Sequence, residues 1–100
     1  MKNIKEFILE SSKALSTVEF NKVIQALLTG EYVEWYRKMI SPNGDEKEAT
    51  EWLNTTYDDD RTGAELCMFI EDLVGHHNFD MWETIDRIFK NKEIKKKFNL

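Results

Sequence analysis

The sequence predicts an all-α protein, a compact irregular bundle of five or six short helices, and three observations carry that prediction. Apolar residues recur at i, i+3, i+4 and i+7 through most of the chain, the spacing that gathers side chains on one face of a helix. Four segments open with Ser, Thr or Asp followed three residues later by Glu, the pairing of a capping box. No stretch alternates apolar and polar residues over the length of a strand. Length bounds the rest: 100 residues make a single domain, with 91–100 as a short basic C-terminal segment. With 41% apolar residues, four Gly and one Pro, the chain has the composition of a globular domain and not of a disordered or fibrous one.

Taken in order, the first expected helix places Ile4, Phe7, Ile8, Ser11 and Leu15 on one face. Ser16 and Glu19 fit a capping box, and Leu15 and Phe20 on either side of the cap form a hydrophobic staple, so the next helix begins at Thr17. Its core stripe is Phe20, Val23, Ile24, Leu27 and Leu28. Thr29-Gly30 interrupts the pattern, which resumes with Tyr32, Val33, Tyr36, Met39 and Ile40. A bend or short break is therefore expected there, with Trp35 at the edge of the stripe. Ser41-Pro42-Asn43-Gly44 reads as a turn in which Asn-Gly supplies a positive φ.

Asp45 and Glu48 open a helix with Ala49, Trp52, Leu53 and Tyr57 on one side. Thr62 and Glu65 open the next, whose stripe of Leu66, Phe69, Ile70 and Leu73, widened by Gly63, Cys67 and Val74, is the most buried-looking in the chain. Gly75 is placed as its left-handed C-terminal residue. Asp80 and Glu83 open a helix bearing Met81, Trp82, Ile85, Ile88 and Phe89. Ile94 and Phe98 fall out of phase with it, so Asn91 ends that helix and a basic segment follows.

Charge is distributed unevenly. The net charge of −5 comprises +1 over residues 1–44, −11 over residues 45–86, where thirteen acids face Lys47 and Arg61, and +5 from Arg87 onward. Such asymmetry points to a charged partner, to solvated helix faces, or to a tail packing near the acidic face. Cys67, the one cysteine, lies in an apolar stripe and reads as a small core residue of a protein from a reducing compartment. Phe7-Ile8-Leu9 is too short for a signal peptide and is flanked by Glu6 and Glu10, and no apolar run reaches membrane-spanning length. A cytoplasmic protein without membrane association is expected.

Several chemistries are weighed against these residues. Asp58, Asp60, Thr62 and Gly63 match the first positions of a calcium loop, but Phe69 stands where its bidentate Glu belongs and Glu65 where an apolar residue belongs. His76 and His77, adjacent in sequence, point apart, and no HxxxH or ExxH pair supports a metal site, so no metal or other cofactor is expected. No phosphate-cradling glycine loop and no GxSxG is present, and nothing singles out a catalytic pair among the nineteen acids. The basic tail follows a body whose charge repels nucleic acid, so no direct nucleic-acid binding is expected.

Protein recognition remains. Tyr57, Asp58, Asp59 and Asp60, followed by the ridge Glu65, Met68, Glu71 and Asp72, combine carboxylates that steer a basic partner with apolar anchors that hold it. The order of Thr17, Glu19 and Phe20 in an early helix and Asp58-Asp59-Asp60 with Gly63 before a later one resembles the immunity proteins of nuclease bacteriocins. The chain departs from that family in lacking its paired tyrosines, since Tyr57 stands alone, and in its intervening spacing. The leading expectation is a small non-enzymatic inhibitor, of the toxin-immunity or phage and plasmid inhibitor kind, that masks a basic protein such as a nuclease. The alternative is a structural or assembly subunit whose aromatic faces form a homo-oligomer, and a further one is a small hydrolase.

Overall fold

A computed structural model describes residues 14–100, and every regular element in that range is helical. In chain order these are α1 (Thr17–Leu28), α2 (Glu31–Met39), α3 (Glu46–Thr55), α4 (Asp60–Val74), α5 (Met81–Lys90) and α6 (Lys92–Phe98). Of the first expected helix, Ile4 to Ser11 lie outside the described residues, and Leu15 lies in non-helical chain just ahead of α1. Each helix packs on the next, α6 returns to α1, and α1 also packs on α4 through the middle. The result is a small all-α bundle, a ring of helices pinned across its centre.

The core follows the periodic stripes. Val23 and Leu27 of α1, Leu53 of α3, Leu66 and Ile70 of α4, and Ile85 of α5 are fully buried, each such side chain contributing about 1.5–3 kcal/mol by leaving water. The staple holds, with Leu15 and Phe20 both buried, and Ser16 and Glu19 make both reciprocal bonds of their capping box. The break at Thr29-Gly30 is one tight corner: Gly30, at φ +83°, ends α1 and starts α2. Gly75 ends α4 at φ +81°, in the left-handed conformation expected of it.

Three local expectations are corrected. Helix α4 begins at Asp60, one turn earlier than a Thr62 cap implies, because the Asp59 carboxylate accepts from the backbone N–H of both Arg61 and Thr62. Thr62 and Gly63 therefore sit in the first turn of a helix and not in a calcium loop. Gly44 does not adopt a positive φ. Glycine is required there by close approach, since a Cβ would lie 2.7 Å from Cε2 of Tyr36. The boxes at Asp45 and Asp80 are half formed: each aspartate accepts from the N–H three residues on, but Glu48 turns away to Tyr36.

The basic C-terminal segment is an integral helix. Asn91 closes α5 and caps α6, accepting from Glu93 and Ile94, while Ile94 and Phe98 enter the core. Lys97 donates to the carbonyls of Leu27, at 3.2 Å, and of Leu28, placing a cation on the negative end of α1. At the other end of α1, Arg87 lies 4.1 Å from the Phe20 ring centroid and donates to the Leu15 carbonyl. Thus part of the positive charge of the last residues is used on the ends of α1.

Candidate functional site

The acidic stretch of residues 57–72 divides into groups with different surroundings. Tyr57 leaves the end of α3 and packs edge-on against Phe89 at 5.6 Å, its hydroxyl donating to Asp86 at 3.3 Å. Asp86 in turn pairs with Lys90 at 2.9 Å. The Lys90 ammonium holds the Asp86 carboxyl below the usual carboxylate range, and Asp86 raises Lys90. Tyr57 and Asp58 thereby border a hollow of about 350 Å³ shared with Phe89, Lys95 and Leu100. It carries both charges, so it has no evident preference for a ligand of one sign.

Along α4, Glu65 and Asp72 lie two turns apart and each receives an indole N–H. Trp52 Nε1 donates to Glu65 at 3.0 Å and Trp35 Nε1 to Asp72 at 2.7 Å. Beneath them the rings form a cluster, with Trp35 5.9 Å from Trp52 and 5.4 Å from Phe69, and Tyr36 5.4 Å from Trp52. Tyr36 donates to Glu48 at 2.7 Å. Three carboxylates thus accept the three donors of one aromatic cluster, as buried Trp52 and Tyr36 and half-buried Trp35 require. Burial, reinforced by the Glu48 carboxylate, pushes the Tyr36 phenol up to about 12.

The remaining members face solvent without such duties. Asp58 and Asp60 are exposed, Met68 keeps 47% of its surface exposed at the middle of the ridge, and Glu71 borders a shallow depression with Gly75, His76 and His77. Ion pairs among the described residues join Arg87 to Glu83 and Lys90 to Asp86, and none involves the acids of residues 58–72. The structure therefore separates the eight expected site residues into Tyr57 and Asp58 at the α3 end, Asp59 as a helix cap, Glu65 and Asp72 on the tryptophans, and Asp60, Met68 and Glu71 on the open ridge.

Other candidate chemistry is also placed. His76 Nδ1 accepts from the Asn78 N–H at 3.0 Å, so its neutral ring carries the proton on Nε2 and donates it to Glu19 at 2.6 Å. This bond, with the cap bonds to Ser16, lowers the Glu19 carboxyl from its ordinary value. His77 is exposed, and among the described residues no three His, Cys, Asp or Glu side chains converge as a metal site. Cys67 is half-buried, and burial, aided by Glu71, pushes its thiol up to about 11, which keeps it protonated at neutral pH. No helix of the described residues is long and apolar enough to cross a membrane.

Sequence reasoning about the ridge missed the bonds that tie Asp72 to Trp35 and Glu65 to Trp52. A signal was available, since a Trp on a core stripe needs an acceptor for its N–H, and Glu65 and Asp72 are spaced to lie on one helix face. Comparison with protein-family models, with curated proteins and with solved structures yields no match. The likeness to bacteriocin immunity proteins rests on the sequence positions alone.

Proposed function

We propose that this is a non-enzymatic, cytoplasmic protein that binds a basic partner protein, such as a nuclease or another enzyme acting on nucleic acid, and masks its cationic surface. The observation that supports this most is the open ridge of α4, where half-exposed Met68 stands with Asp60 and Glu71, neither of them paired with a cation among the described residues. Unneutralised carboxylates generate a field that accelerates encounter with a cationic protein. An exposed, flexible thioether supplies short-range contact that slows departure.

The test begins with the partner that immobilised protein retains from its host, and it turns on the Met68→Ala variant. Met68 lies outside the core, so the variant keeps its helical spectrum, and dissociation from the partner is expected to become about tenfold faster with little change in association. An unchanged dissociation rate removes the ridge from the interface. A preparation that is dimeric through this same ridge favours the homo-oligomer reading instead.

A further inference from the structure

Between α2 and α4 lies a cleft of about 250 Å³ lined by Glu31, Glu34, Trp35, Lys38, Phe69 and Asp72, together with Leu73. Its size is below the ~300–1,000 Å³ of sites for drug-sized molecules and suits a single side chain. The walls are apolar and aromatic, and the rim holds three carboxylates against one ammonium. Trp35 is half-buried and fixed from three directions: Trp52 at 5.9 Å, Phe69 at 5.4 Å, and the Asp72 carboxylate that takes its N–H. That bond uses Oδ2 of Asp72, which leaves Oδ1 able to accept from a ligand.

Building on the basic-partner reading, we infer that this cleft receives an arginine side chain of the partner. A guanidinium stacks on an aromatic face, and its planar fork of N–H donors matches carboxylates at the edge of the ring. Here the indole is held in place before binding, and Glu31, one turn before Trp35, and Glu34, immediately before it, are exposed and carry no ion pair among the described residues, so both can close on the cation. An anionic ligand meets three carboxylates, and a neutral apolar one leaves the rim charges unused. The cleft also explains a division of roles on α4: Asp72 orients Trp35 for the cation while Asp60 and Glu71 act at longer range.

The probe is N-acetyl-arginine amide, titrated at low salt into the full chain while the indole N–H signals are followed by NMR. Its uncharged isostere, N-acetyl-citrulline amide, serves as the control. The expected result is a saturable shift of the Trp35 indole signal with the arginine amide, a response about tenfold weaker with the citrulline amide, and a similar loss in the Glu31→Gln/Glu34→Gln variant. Both substitutions lie on the exposed side of α2, and the unchanged positions of the remaining signals verify the fold. Equal responses to the two amides, or an unmoved Trp35, overturn the inference. If the arginine amide instead shifts residues around Asp58 and Asp60, the cleft is overturned while the basic-partner reading stands. That reading fails separately, when Asp58→Asn/Asp60→Asn leaves association with the partner unchanged.

Discussion

Two carboxylates of the same helix can have opposite value. Glu65 satisfies the N–H of Trp52, which is buried, whereas Glu71 has no side-chain partner within the described chain. Glu65→Ala leaves a buried donor unpaired and is expected to cost about 1–3 kcal/mol; Glu71→Ala should stay within about 0.5 kcal/mol of wild type. Denaturant titration of the two variants checks the contrast, and equal losses would show that the indole bond carries no weight. Glu19 adds a pH dependence of definite sign. Its carboxyl is lowered in the folded state, first by His76 and then by Ser16, so its stabilisation is complete above the usual carboxylate range and is lost as the pH falls through the lowered value. Relative to Glu19→Gln, wild type should therefore lose stability on acidification from about pH 5 toward pH 2. Parallel acid titrations of the two proteins reveal whether the gap closes.

At the scale of elements, the sequence made most of the fold legible because apolar periodicity and helix caps are local signals. The α1 start, the corner at Gly30, the Gly75 terminus and the change of phase at Asn91 are all encoded within a few residues. The start of α4 was misplaced because two capping patterns compete there, and Asp59, next to the helix, captures two N–H groups where Thr62 would compete for a later turn. The role of the ridge was less legible because it depends on which helix lies beneath it: the partners of Glu65 and Asp72 are 13 and 37 residues away. Helix α6 shows the same limit, its charge suggesting a solvated tail while Ile94 and Phe98 anchor it beside α1. Ile94→Ala is expected to destabilise the whole domain by about 2–5 kcal/mol. A thermal midpoint that does not move would instead make α6 an appendage.

For the molecule as a whole, the ring of helices arranges charge as well as packing. Cations of the C-terminal region sit on the ends of α1 and on Asp86, and the acids of residues 58–72 remain outside those pairs. On the proposed reading a basic partner would meet the carboxylates of Asp58, Asp60 and Glu71, which can be neutralised without disturbing the cap at Asp59 or the bonds of Glu65 and Asp72 to the tryptophans. The decisive quantity is the association rate constant with the captured partner as a function of ionic strength, for wild type and for Asp58→Asn/Asp60→Asn/Glu71→Gln. The account predicts a wild-type rate that falls steeply with added salt and a variant that associates about tenfold more slowly at low salt, with a flatter dependence, at nearly unchanged dissociation. Superimposable salt curves for the two proteins would contradict it.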